Sequence, residues 1–388
     1  MLIELHAIQN FAPSNLNRDD TGAPKDCIFG GYRRARVSSQ AFKRAMRMKF
    51  RDGGLLPDKA DIGTRTKRIV QELTERLGDA GIAEEEAKPL IERALGGLGL
   101  KLEEGNKTQY LLFVGPRELD ALAAACVQLR DAGESGAAGD GAAKSGRNAK
   151  KDAKSAITGE MQKTLKAAMD GGKAADIALF GRMIADNADI NTDAACQVAH
   201  AISTHKTDIE FDYYTAVDDL NPKEETGAGM IGTVEFNSAC FYRYANVDVE
   251  QLQHNLGGDV ELAMRTLEAF IRASISAVPT GKQNSMAAQN PPSLVLAVVR
   301  QSGLWSLANA FVQPVRADRD GDLVDKSIGR LDEYWGKLTR MYGAGPIEGA
   351  WVCSLDGGLE QLADAQVESV DDVVRSTLDA VSAVGSAA

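Results

Sequence analysis

The sequence predicts a mixed α+β fold, on three observations. Val234, Phe236, Ser238, Cys240, Tyr242 and Tyr244 recur with period two and so share one face of a long strand. Residues 259–278 place Val260, Met264, Leu267, Ile271, Ile275 and Val278 on one stripe at helical spacing. The apolar run LVLAVV, residues 294–299, has the length of a buried strand and is far too short for a membrane span. Strand, helix and strand in this order suggest an α+β sandwich of the ferredoxin-like type.

The remaining elements follow along the chain. Residues 2–9 alternate, with Ile3, Leu5 and Ala7 on one face, and predict a first strand. A polar loop runs from Pro13 to Lys25. Tyr32–Val37 reads as a short strand, with Arg34 and Arg36 on one side and Ala35 and Val37 on the other. A helix starts after Ser38, a good N-cap, with Val37 and Phe42 placed as a hydrophobic staple. Its apolar face carries Phe42, Ala45, Met46 and Phe50. Gln40, Lys43, Arg44, Arg47 and Arg51 fall on the other.

Residues 64–98 predict amphipathic helices with a Gly-rich break at 96–99. In residues 131–156, 16 of 26 are Gly, Ala or Ser, which predicts a loop or linker. DIALFGRM, residues 176–183, predicts a strand running into a turn. From His205 to Glu235 the chain holds eight acids and two lysines and shows no clear element, the mark of a functional or disordered stretch. The loop PTGKQNSMAAQNPPS leads into LVLAVV, and helices near 326–342 and 370–383 complete the reading.

A chain of 388 residues makes one large elaborated domain or two, and 44% apolar content suffices for a sizeable core. The net charge of −11 argues against indiscriminate binding to nucleic acid or anionic membrane. Yet Lys25 to Arg51 contains nine Lys/Arg and one acid, Asp26. Five scattered cysteines without a CxxC predict a reduced, cytosolic protein. MLIELHAIQNF has no basic region followed by an apolar one, so no signal peptide is expected.

The basic segment is the main chemical signal. A helix N-terminus at Ser39–Ala41 suits a phosphate, with Ser38 and Gln40 adding neutral hydrogen bonds and Lys43, Arg44 and Arg47 reaching further phosphates. The alternative is a solvated helix face. The preceding strand, with Arg33, Arg34 and Arg36, favours the first reading, because two successive elements converge on one sign of charge. Gly30-Gly31 reads as a tight turn, and neither the Walker pattern nor GxGxxG is present. His6, His200, His205 and His254 lack metal-ligand spacing. Asp26 either acts as a general acid/base on RNA or, more simply, orients a neighbouring Arg. The aromatic run FYRYAN, 241–246, does not match the RNP1 pattern and reads as a core strand.

NLNRDDTGAPKDCIFGGYRRARVSSQAFKRAMR, residues 15–47, closely resembles the N-terminal signature of the CasC family. These are RAMP-superfamily backbone subunits of the type I-E CRISPR surveillance complex, Cascade. ALFGRM at 178–183, AHAISTHKTDIEFDYYTAVDDL at 199–220 and GTVEFNSACFYRYANVDVEQLQHNLGG at 232–258 fit as well. So do PTGKQNSMAAQNP at 279–291 and SLANAFVQPV at 306–315, so the resemblance runs nearly the whole length in order.

The resemblance implies an RNA-recognition-like palm with a helical fingers insertion and an extended thumb. It places palm at 1–60, 176–204 and 236–388, fingers at 61–175 and thumb at 205–235. It implies a cytoplasmic, non-catalytic protein without cofactor or metal. Copies stack head to tail along CRISPR RNA, with large, small, guide-capping and guide-processing subunits as partners. Each thumb kinks the guide, which then pairs with target DNA. By residue, Arg18, Lys25, Ser38, Gln40, Lys43 and Arg44 match positions that grip the guide backbone. Arg33, Arg34 and Arg47 join them on charge alone. Met183 matches an apolar wedge against bases, and Thr215 and Val217 fall in the thumb tip. Lys282 and Gln283 are further nucleic-acid contacts. Lys144, Lys150, Lys151 and Lys154 correspond to fingers lysines that meet DNA. The competing reading is a type III-like backbone subunit that cuts target RNA with a metal ion at Asp26.

Overall fold

The computed structural model describes residues 1–56, 58–137, 158–170, 174–184, 188–220, 229–319, 322–355 and 358–385. They form two compact units. One comprises Met1–Leu55, Cys196–Val249 and Leu267–Ala388; the other comprises Leu56–Ala195 and Glu250–Thr266. Residues 176–195, expected in the palm, fall in the second unit.

The first unit is built on one antiparallel sheet. Its strands are β1 Leu2–Ser14, β2 Asp26–Phe29, β3 Tyr32–Val37, β4 Cys196–Val198 and β5 Ala201–Ser203. They continue as β6 Glu210–Ala216, β7 Met230–Asp248, β8 Leu294–Arg300 and β9 Ile347–Ser354. The spatial order is β9-β8-β1-β7-β5-β3-β2, with β4 and β6 also paired to β7. Counting β1, β4/β5, β7 and β8 as first to fourth, the central order is fourth, first, third, second. Helix Ser39–Asp52 follows the first strand and helix Val260–Ser276 follows the third. This is the ferredoxin-like arrangement expected from the sequence. The β2–β3 hairpin extends the sheet at one edge and β9 at the other.

Every residue of β8 is buried, because the strand lies between β1 and β9 and is covered on its faces. That is why its sequence is an unbroken apolar run instead of an alternation. One face packs Ile8, Tyr242, Leu294, Leu296 and Val298 against Leu307, Phe311, Ile328, Leu331 and Trp335. The last three of these covering residues come from helix Leu323–Tyr342. Helix Val370–Gly385 packs on β8 and β9.

Residues 210–216 and 230–235 form a regular element where the sequence showed none. β6 pairs with the outer half of β7 from Glu210↔Phe236 to Ala216↔Met230, making a hairpin. All seven residues of β6 are exposed. Both faces meet solvent, so acids are tolerated on either, and the apolar/polar alternation that reveals a half-buried strand is missing.

The second unit is helical, as expected. Helices Ile69–Asp79, Glu84–Gly97, Pro116–Ala137 and Gly159–Asp170 enclose Leu73, Leu77, Ile91, Leu95, Leu122 and Leu165. The expected strand at 176–183 is instead helix Ala175–Phe180, ended by Gly181 at φ +75°. All six of its residues are buried, so no polar face was present to mark a helical period.

Candidate nucleic-acid interface

The nine cations of residues 25–51 do not all face solvent. Arg34 is 0% exposed. Its Nη1 donates to the carbonyls of Ser203 (3.1 Å) and Thr204 (2.8 Å), and its Nη2 to those of Phe311 (2.7 Å) and Val312 (3.1 Å). Burial lowers its pKa. The expectation that Arg34 grips phosphate is therefore corrected: it ties β3 and β5 to the segment at 311–312. Arg47 is also buried, since it follows Met46 and precedes Phe50 by one turn, both core residues. It too leaves the set of exposed cations. Arg33 is exposed but forms an ion pair with Asp26, the one acid of the basic stretch. Asp26 is thus paired with a neighbouring Arg.

The rest of the set is drawn together by a braced loop. Ser38 caps helix Ser39–Asp52 by accepting from the Ala41 N–H at 3.3 Å. The Ser38 N–H donates to Asn17 Oδ1 at 2.8 Å, which pins the loop bearing Arg18 to the helix N-terminus. The Lys25 N–H donates to the Asn17 carbonyl at 2.9 Å, and the Arg36 N–H to the Lys25 carbonyl at 2.9 Å. Asp19 Oδ1 accepts from the Thr21 N–H (2.9 Å), the Thr21 hydroxyl (2.8 Å) and the Ala23 N–H (2.9 Å), which shapes the turn beside exposed Arg18. Gln40 and Arg44 are exposed on the helix and Lys43 is half-buried. The helix has no acid in its first turn. Ser39 and Gln40 N–H groups have no intrahelical acceptor by helix geometry.

Three residues of this surface were missed or undervalued in the sequence. Asn17 is the brace. Arg36 donates through Nε to the Asp26 carbonyl at 3.0 Å, and its Nη1 lies 3.1 Å from His200 Nδ1. His200 has its pKa lowered by burial and by the charges of Arg36 and Lys25, so it belongs to the same cluster. No sequence signal links positions 36 and 200; the register of β3, β5 and β7 does.

The loop after the second palm helix sits against this surface. A Cβ on Gly281 would lie 2.4 Å from the Leu16 carbonyl oxygen and 2.7 Å from that of Asn15, so only glycine permits the contact. Lys282 follows at φ +51° and is half-buried. Gln283 Nε2 donates to the carbonyls of Pro279 (3.2 Å) and Ala288 (3.0 Å). Its amide nitrogen therefore braces the loop instead of reaching outward.

On the hairpin, Thr215 is exposed and Val217 is 74% exposed, with Phe211 and Tyr213 also bare. Glu210, Asp212, Asp218 and Asp219 flank them, which suits neutral contacts and repels phosphate. In the second unit Met183 is 85% exposed. Lys144, Lys150, Lys151 and Lys154 lie outside the described residues. Among the described residues no helix is long and apolar enough to cross a membrane.

Fold and surface define a class of protein: a ferredoxin-like palm bearing a basic loop and helix, an uncovered β-hairpin and a second, helical unit. The chain belongs to the CT1975-like protein family, whose model matches residues 3–379. Among solved structures it is similar to a chain of a "CRISPR RNA-guided surveillance complex, pre-nicking". The two share 32% identity and a TM-score of 0.80, over 98% of this chain and 100% of that one. A chain of a second "CRISPR RNA-guided surveillance complex" shares 26% identity and a TM-score of 0.70, over 98% of this chain and 100% of the other. A search of curated proteins finds no match.

Proposed function

We propose that this chain is a non-catalytic backbone subunit of a CRISPR RNA-guided surveillance complex of type I-E, acting in the cytoplasm. Copies stack along CRISPR RNA, grip its phosphates, and present its bases for pairing with target DNA. The observation that carries this reading is the braced surface of Arg18, Lys25, Ser38, Gln40, Lys43 and Arg44. Backbone and helix-terminal donors with mobile cations hold phosphate without reading sequence, as a filament on a variable guide requires. Lys282 adds charge from the adjoining loop. Met183, Thr215 and Val217 supply apolar or neutral contacts to bases, and the lysines at 144–154 supply contacts to DNA. Head-to-tail contact is heterologous and open, so the array can follow the guide.

The test is the salt dependence of guide binding. Replacing Lys43 and Arg44 together with Gln removes about two phosphate contacts and flattens the slope of log K against log salt by about 1.4. An unchanged slope would mean that the helix face is only solvated. Co-expression with guide RNA and the other subunits provides the complementary measurement: a large species carrying one guide-length RNA is expected. A small, RNA-free species would overturn the assignment.

A further inference from the structure

We infer that the buried Arg182–Glu118 ion pair is the mount that holds Met183 outward, which makes Arg182 a positioning residue for the wedge. The inference rests on the reading that Met183 contacts guide bases.

The argument begins with alternation. Arg182 is 5% exposed and Ile184 is 4% exposed, while Met183 between them is 85% exposed. In extended backbone, successive side chains point to opposite sides, so fixing the two flanking residues inward fixes the middle one outward. A single exposed Met is unexceptional. What distinguishes this one is how firmly its neighbours are held.

Arg182 engages all three of its guanidinium nitrogens. Nε donates to the Ile190 carbonyl at 2.9 Å and Nη2 to the Met169 carbonyl at 2.7 Å. Nη1 donates to both oxygens of Glu118, at 2.8 and 3.0 Å, and to the Phe113 carbonyl at 3.1 Å. The side chains of Arg182 and Glu118 are 2% and 0% exposed. Glu118 also accepts from the Gly115 N–H at 2.7 Å, at the start of helix Pro116–Ala137. One side chain thus joins a strand, two helices and a turn, all within the second unit. A lysine offers a point charge in place of the planar fork and cannot reproduce this set.

The main chain is held as well. Arg182 and Thr192 exchange both backbone hydrogen bonds, at 3.0 and 2.8 Å, and the Ile184 N–H donates to Asn191 Oδ1 at 2.6 Å. Gly181 precedes them at φ +75°, where a Cβ would come within 2.8 Å of the Thr192 carbonyl oxygen. A buried ion pair is a poor source of stability compared with apolar packing. Apolar side chains would fill the same space, but they would not impose a direction.

The experiment is a double-mutant cycle in the assembled complex, using a guide that carries 2-aminopurine at the base next to the wedge. Guide binding, target-strand pairing rate and 2-aminopurine fluorescence are measured for Met183→Ala, Glu118→Gln and the double variant. Each single variant is expected to slow target pairing by about threefold or more and to alter fluorescence, with a smaller effect on guide binding than on pairing. Glu118→Gln should add nothing in the Met183→Ala background, because a residue that acts only by directing Met183 is coupled to it and not additive with it. If both single variants slow pairing but their effects multiply, the mount is overturned and the wedge survives. The mount is overturned equally if Glu118→Gln lowers thermal stability yet leaves fluorescence untouched. If Met183→Ala changes neither pairing nor fluorescence, the wedge reading fails and takes the mount with it. Should Glu118→Gln not assemble, Arg182→Lys replaces it in the same cycle.

Discussion

Arg34 and Arg44 carry the same charge within one short segment, and the fold gives them opposite work. Arg34 is sealed beneath Phe311 and Val312, supplying donors to four backbone carbonyls. Arg34→Met should lower unfolding stability by about 3 kcal/mol, because buried acceptors lose their partners. Chemical denaturation measures that loss, and the salt slope of guide binding should stay as it was. Arg44→Gln should do the reverse. His6 offers a second test at this scale. Burial and the charge of Arg300 hold its pKa down to about 3, while Nδ1 meets the Tyr242 hydroxyl at 2.9 Å. Between its unfolded value of 6.5 and about 3, the unfolded chain takes a proton that the folded chain refuses, so this residue's contribution to stability falls as pH falls. Glu4, which pairs with Arg300 nearby, has its pKa raised by burial, and its contribution falls in the opposite direction, as pH rises. Comparison with His6→Asn separates the two. The stability difference between the parent and this variant should shrink by about 3 kcal/mol from pH 6.5 to 4.

At the scale of elements, legibility followed burial. The helix Ser39–Asp52 was readable from its cap, its staple and its two-faced pattern, because one side is core and the other solvent. Helix Ala175–Phe180 was not readable, being covered all round, and neither was the β6–β7 hairpin, being covered on neither face. The site divided in the same way. Lys43 and Arg44 could be placed from helical period, but Arg34 and Arg47 could not. Which residues a neighbouring segment covers depends on chain hundreds of residues away. The loop carrying Lys282 gives a sharp test of the bracing. Gly281→Ala puts a methyl into the Leu16 carbonyl, and such overpacking costs about 1–3 kcal/mol. Guide affinity should fall with it, whereas Gly345→Ala, at an open position, should change neither quantity.

At the scale of the molecule, the sheet of the first unit is closed on its aromatic side. Tyr242 lies 5.5 Å from Phe311, centroid to centroid, and accepts the Leu307 N–H at 2.8 Å. Tyr244 donates to Glu4 at 2.9 Å. Helix Leu323–Tyr342 and the preceding turn cover these rings, so under the proposed function bases cannot stack on them and the guide is left to the loops and helix end. Tyr244→Phe should therefore cost stability and spare guide affinity. The charge pattern agrees: in a chain of net charge −11, residues 25–51 concentrate nine Lys/Arg against one acid.

The length of β7 carries a further consequence. The strand runs from Met230 to Asp248 without a break, pairing with β6 at its outer end and with β1 at its inner end. Its inner residues are buried and its outer ones are largely open. Amide hydrogens at Phe241–Val247 should exchange with deuterium only when the whole unit unfolds, and those at Met230–Val234 by local opening. A single strand thus spans a wide range of protection in this unit, and the point along it where exchange slows marks where the buried sheet gives way to the exposed hairpin.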